Sequence, residues 1–202
     1  MTFAGDIAVD TEAMGLNNKR DRLCLVQLSD GKGDAHLVQL AQNPRSSSEA
    51  VAHTHYKAPN LIKLLTDKKR TKIFHFARFD LSIMRYYLGV RIAPVYCTRT
   101  ASRLCRTYTD KHGYKDICRE LLGVEISKQQ QSSDWGADTL SKEQIEYAAS
   151  DVLYLHRLRE KLDEMIAREK RQDLLAACCD FLPFRAELDL AGFENEDIFA
   201  HS

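Results

Sequence analysis

The sequence predicts an α/β protein in which a mixed sheet of about five strands is flanked by helices, in one domain spanning 1–202. Three observations predict it. Short apolar runs separated by turn signals occupy the first forty residues, strand-like and helix-like segments alternate after residue 60, and no linker divides the chain.

Asp6–Asp10, Arg22–Leu28 and Ala35–Leu40 read as strands. They are joined at Gly15-Leu16-Asn17-Asn18 and at Asp30-Gly31-Lys32-Gly33, and links this short give a three-strand antiparallel meander. Residues 42–59 are polar and carry Ser46-Ser47-Ser48, as expected of a surface loop. Asn60 can cap a helix over Leu61–Thr66, Lys72–Phe76 reads as a strand, and Ala77–Leu88 has helical spacing and ends at Gly89. Ile92–Tyr96 is a further strand. Helices follow over Thr98–Arg106, Gly113–Leu121 and one long span from Ser141 to Arg168, which opens on a Ser141/Gln144 capping box. Asp173–Asp189 reads as helical with a break before Pro183. Residues 183–202 read as a tail ending near an apolar Phe199.

Composition narrows the function classes. Lys+Arg and Asp+Glu are equal at 29 each, so no global positive field attracts a polyanion and any basic contact must be local. No apolar run approaches membrane length and no signal peptide is visible, as expected of a cytoplasmic protein. The six Cys form no C-x-x-C pair, and Cys178 and Cys179 are adjacent. That pattern fits reduced, partly buried thiols better than a zinc site or a disulfide framework.

Asp10-Thr11-Glu12 closes the apolar run Ile7-Ala8-Val9. Side chains at i and i+2 of a strand share a face, and two carboxylates on one face repel unless a cation lies between them. Asp80 stands where a strand turns into a helix. Tyr147 and Asp151, four apart, project from one face of the long helix, near Ile145, Val152 and Leu155. Each residue alone has an ordinary structural explanation. Four carboxylates and a Tyr together meet the needs of two hard cations that activate water and stabilise the leaving oxygen of a phosphodiester.

These residues resemble the three motifs of the DEDD 3′–5′ exonucleases, in the subclass with Tyr in the third motif. Lys128-Gln129-Gln130-Gln131-Ser132-Ser133-Asp134-Trp135, Leu140-Ser141 and Tyr147-Ala148-Ala149-Ser150-Asp151-Val152 resemble the RNase D branch. The chain length, Thr107–Gly113 and Phe199-Ala200-His201-Ser202 look most like the nano-RNase C group. The likeness covers nearly the whole chain and implies an RNase H-like fold. It implies that Asp10, Glu12 and Asp151 hold one Mg2+ or Mn2+, that Asp10 and Asp80 hold a second, and that Tyr147 positions the attacking water. It further implies removal of nucleoside 5′-monophosphates from very short RNA, dinucleotides above all, and a ring-like homo-octamer with the tail at a subunit contact. Three features depart from the family pattern. Only five residues precede the first strand, which points to an upstream start or a trimmed N-terminus, residues 43–55 look longer than the corresponding loop in relatives, and Gly136-Ala137-Asp138-Thr139 replaces the Arg-Pro common after Asp-Trp in RNase D.

Candidate substrate contacts are Thr11, Leu16, His75, Arg106, Tyr108, His112, Lys128 and Gln131. Leu16 can wedge against a base or cover the core edge, and His75 can meet a terminal sugar or be satisfied in the core. Arg106, His112 and Lys128 are candidates for a 5′ phosphate, whereas the Arg99/Arg103/Arg106 stripe also fits a solvated face. Trp135 fits a packing anchor better than a base platform. The alternative activity is RNase D-like trimming of longer RNA or DNA 3′ ends, and the non-catalytic alternative is a nucleic-acid-binding scaffold.

Overall fold

The computed structural model describes residues 3, 5–41, 56–127, 130 and 132–201. Five strands form one sheet: β1 Ile7–Ala13, β2 Leu23–Ser29, β3 His36–Gln39, β4 Lys72–Phe74 and β5 Val95–Cys97, in the order β3-β2-β1-β4-β5. β1–β2 and β2–β3 are antiparallel, whereas β1–β4 and β4–β5 are parallel, so the meander carries a parallel extension. All seven residues of β2 are buried, as a strand covered on both faces requires.

Seven helices flank the sheet among the described residues: α1 Pro59–Leu65, α2 Ala77–Leu88, α3 Thr98–Cys105, α4 Tyr114–Leu122, α5 Lys142–Leu153, α6 Leu155–Arg168 and α7 Gln172–Leu188. α5 lies against β1, β2 and β3, and α2 packs along α7. Most of the core is one cluster running from Ile7 and Val9 through Ile73 and Phe74 to Leu158 and Leu162, all at 0% exposure. A smaller cluster joins Cys24, Leu25, Trp135 and Ala148 beneath α5.

Several boundaries differ from those the sequence suggests. β1 runs on to Ala13, so Asp10 and Glu12 lie within the strand, with a register shift only after Glu12. Pro59 opens α1, because its missing N–H falls where no helical acceptor is needed, and Asn60 lies inside the helix. β4 stops at Phe74, which leaves His75 and Phe76 in the turn, and β5 begins at Val95. The long helical span divides at Tyr154 into α5 and α6. α7 continues through Pro183 to Leu188, so residues 183–188 are helix, and a π-helical turn follows over Asp189–Phe193.

Other local rules hold. The Ser141/Gln144 capping box is complete, worth about 1 kcal/mol in such helices. Gly89 closes α2 in the left-handed region. All six cysteines are free, and only Cys178 is exposed. The polar segment at 42–55 lies outside the described residues.

Candidate active site

β1 and α5 build the centre of the site. Asp10 and Glu12 alternate onto the face covered by α5, and Asp151 comes from the last turn of that helix. One carboxylate oxygen from each of Asp10, Glu12 and Asp151 lies within 4.8 Å of the others, and all three residues are half-buried. Thr11 alternates to the other side of β1. There its hydroxyl donates to Asp80 Oδ1 at 2.6 Å, and Asp80 is buried in the first turn of α2.

The electrostatics describe an acidic site under strain. Burial, reinforced by Asp80, Asp151 and Glu12, pushes the Asp10 carboxyl well above the usual range. Burial with the charges of Asp151 and Asp80 pushes Glu12 up to about 9. Asp80 rises to about 7 through burial, against the opposing bond from Thr11, and Asp151 rises to about 7 through burial, against a bond from Tyr147. The Tyr147 hydroxyl is also pushed up, by burial and then by Asp151, Glu12 and Asp10. Such a set stays ionised at neutral pH only beside a compensating cation. All-oxygen donors converging from a strand and a helix suit a hard divalent ion. Asp80 stands outside the tight group, near enough for its charge to act on Asp10.

Tyr147 packs against Trp135, with ring centroids 6.0 Å apart. Trp135 is 2% exposed, so its face is closed to a base and it acts as the packing anchor. Ile145, by contrast, is 45% exposed, because it falls off the core-facing side of α5.

The candidate substrate residues divide into groups. Thr11 is buried and committed to Asp80. His75 Nδ1 bonds Thr98 Oγ1 at 2.9 Å and its ring lies 5.5 Å from that of Tyr114, while burial and then Arg99 depress its pKa to about 3. A neutral imidazole there contributes hydrogen bonding and no charge. Arg106, Tyr108 and His112 belong to one internal network. Arg106 is completely buried, pairs with Glu120, and donates to Ser102 Oγ and the Lys111 carbonyl at 2.9 and 2.7 Å. It is therefore neither a solvated stripe residue nor open to a phosphate. Tyr108 donates to Glu120 at 2.6 Å and His112 Nδ1 bonds Ser102 Oγ at 2.9 Å. Lys128 and Gln131 lie outside the described residues.

Leu16 is 88% exposed at the tip of a stiff turn. Asn17 Oδ1 accepts from the Lys19 and Arg20 amides, Asp21 Oδ2 accepts from the Asn17 amide, and a Cβ on Gly15 would meet Asp21 at 2.3 Å. The turn forms one wall of a cavity of about 540 Å³, opposite Phe76, Phe79 and Leu190. Phe76 has a positive φ of 67° and is 46% exposed beneath Arg99. In a bulky residue that backbone geometry stores strain of the kind found at functional turns.

Two buried residues escaped the sequence reading. Gln27 faces Asp10 across the β1–β2 ladder, and its only signal was an amide inside an apolar strand. Asp189 accepts both arms of the Arg78 guanidinium at 2.7 Å and also pairs with Arg185 at 3.2 Å. Arg185 lies four positions before it, an ordinary helical pair, whereas Arg78, which shows that the carboxylate is buried as a clamp, is 111 positions away.

A mixed sheet with an acidic cluster on its central strand defines the class. Residues 2–167 match the 3′–5′ exonuclease family, and the chain belongs to that family. Ribonuclease D of Gluconacetobacter diazotrophicus is 34% identical over 171 residues, which is 85% of this chain and 40% of the relative. The chain thus spans about two fifths of the length of such curated relatives. Among solved structures, Brucella melitensis NrnC bound to pGG is 52% identical with a TM-score of 0.89, covering 98% of this chain and 91% of that one. The same protein with bound Mg2+ is 51% identical with a TM-score of 0.88, over 98% and 92%.

Proposed function

We propose that this chain is a metal-dependent 3′–5′ exoribonuclease that hydrolyses very short RNA, dinucleotides above all, to nucleoside 5′-monophosphates. The observation that carries this reading is the convergence of Asp10, Glu12 and Asp151 within 4.8 Å, in a chain 51–52% identical to a nuclease solved with Mg2+ and with pGG, a 5′-phosphorylated dinucleotide. Asp10, Glu12 and Asp151 would hold one Mg2+ or Mn2+, and Asp10 with Asp80 a second. Bound there, two such ions supply an activated water and stabilise the leaving oxygen. Tyr147, anchored by Trp135 and next to Asp151, orients the water through its hydroxyl. Its raised pKa keeps that hydroxyl protonated and able to donate at neutral pH.

The exposed Leu16 on its stiff turn, facing Phe76 across the cavity, supports a role in holding a base. His75 is retained as a sugar contact through hydrogen bonding. A cytoplasmic location, with RNA decay, is part of the same proposal.

Self-association into a ring-like homo-octamer is part of the same proposal. The outer side of α7 and the segment after it expose Phe184 at 52% and Phe199 at 78%. Phe181 stands between them, with ring centroids 6.4 and 6.1 Å away. Aromatic area of this kind is costly to leave in water.

The test is a paired assay with and without Mg2+ or Mn2+ on a labelled 5′-phosphorylated dinucleotide and a 7-mer. Fast metal-dependent cleavage of the dinucleotide with a slow 7-mer is expected. Preference for the 7-mer would favour RNase D-like trimming of longer RNA or DNA ends, and no cleavage of either would leave a binding scaffold.

A further inference from the structure

Gln27 is fully buried in a strand whose seven residues are all buried. In the β1–β2 ladder it stands directly opposite Asp10, as Leu25 stands opposite Glu12. Residues opposite each other in a ladder present their side chains to the same face. The Gln27 amide therefore lies on the face where Asp10, Glu12 and Asp151 converge. Its Nε2 donates to Asp10 Oδ2 at 3.4 Å, a long bond, and its Oε1 is buried with no hydrogen-bond partner among the described residues. The amide orientation follows from the neighbour, because a carbonyl oxygen turned toward a carboxylate would be repelled.

A buried amide with one end unpartnered is a poor packing choice beside Leu or Met of similar size. Packing thus gives no reason for an amide at this position, whereas the chemistry next to it does. A neutral N–H donor fixes a carboxylate without competing with a cation for it, as Lys or Arg would.

We propose that Gln27 is a positioning residue for Asp10. Its Nε2–H holds Asp10 Oδ2, which orients the carboxylate toward Glu12 and Asp151, and its Oε1 accepts from water carried in with a divalent ion. The inference rests on reading the three carboxylates as a metal site.

The test is Mn2+ binding to the full chain without substrate, followed by calorimetry and by the Mn2+ electron paramagnetic resonance signal, in the native protein, Gln27→Met and Gln27→Asn. Gln27→Met keeps the volume and removes the donor, and Gln27→Asn keeps the amide but withdraws it by one methylene. Both are expected to bind Mn2+ about 10–100-fold more weakly with native circular dichroism. Turnover lost at low Mn2+ should return as Mn2+ is raised, which a packing defect would not allow. Native-like Mn2+ affinity in either folded variant overturns the proposal. Unfolding of both variants overturns it as well, because Gln27 would then support the strand and not the carboxylate. If the native protein binds no Mn2+, the metal site itself falls, and that failure is distinct because there is no native signal to weaken.

Discussion

Thr11 Oγ1 donates a 2.6 Å hydrogen bond to Asp80 Oδ1, linking the middle of β1 to the first turn of α2 across 69 positions. The bond opposes the burial that raises the Asp80 pKa to about 7. Thr11→Val removes the donor at nearly constant volume, so the Asp80 pKa should rise further. Protons then compete harder with the cation for Asp80, so kcat/KM at limiting Mg2+ and neutral pH should fall and recover as pH or Mg2+ is raised. Thr11→Ser should behave as native. A pH–rate profile of Thr11→Val that overlays the native curve would separate Thr11 from catalysis.

Asp10 is the carboxylate most crowded by others, pressed by Asp80, Asp151 and Glu12. Asp10→Asn is expected to reduce dinucleotide turnover below about one thousandth of native, while circular dichroism stays native. Appreciable residual activity would mean that Asp10 does not serve both metals.

The acidic cluster also sets a pH dependence for the metal-free protein. Folded Glu12 keeps its proton up to about pH 9, whereas the unfolded chain releases it in the ordinary carboxylate range. The folded state therefore binds more protons between these values, and its stability must fall as pH rises through that window. In EDTA, Tm should decrease from about pH 5 to about pH 9. Mg2+ should raise Tm most at the alkaline end, where ionised ligands are available. A flat profile in EDTA would show that the carboxylates titrate normally.

Leu16 supplies an exposed apolar side chain on a turn closed by hydrogen bonds to the Asn17 and Asp21 side chains. Leu16→Ala should lower kcat/KM for a dinucleotide about tenfold, the equivalent of ~1.4 kcal/mol of lost apolar contact, with Tm unchanged. Steady-state kinetics that match the native enzyme would return Leu16 to a surface role.

Asp189 is a buried carboxylate shared by Arg78, Arg185 and the Ser82 hydroxyl. Asp189→Asn leaves two guanidiniums short of a counter-charge. Because Arg78 is about one third exposed, the cost is discounted to about 2–3 kcal/mol. Urea denaturation measures it, and a loss below about 0.5 kcal/mol would mark the pair as dispensable.

Much of this was legible in the sequence because the controlling physics is local. Period-two runs with tight links gave the meander, Ser141 and Gln144 gave the start of α5, and Gly89 the end of α2. Asp10-x-Glu12 and Tyr147-x-x-x-Asp151 could be paired because strand and helix periods assign each pair to one face. Arg106 resisted this reasoning: its helical spacing suggested solvent, but Glu120, 14 positions on, draws it inside. Gln27 and Asp189 were missed for a related reason: Gln27 meets Asp10 17 positions away, and the i,i+4 pair of Arg185 and Asp189 gives no hint of Arg78, 111 positions away. Pro183 misled in the other direction, because tertiary packing along α2 holds α7 together where a missing N–H would break an isolated helix.

The clamp between Asp189 and Arg78 has a practical consequence for handling the protein. Arg78 also donates to the Glu194 carbonyl at 2.5 Å, and it sits two residues before Asp80. The carboxyl-terminal stretch is therefore fastened directly to the start of the helix that carries Asp80. A bulky affinity handle or fluorescent fusion placed close to Glu194 would crowd that fastening. Rates measured on such material would mix the chemistry of the enzyme with the mechanics of its label, so comparisons between variants call for a cleavable handle that is removed before assay.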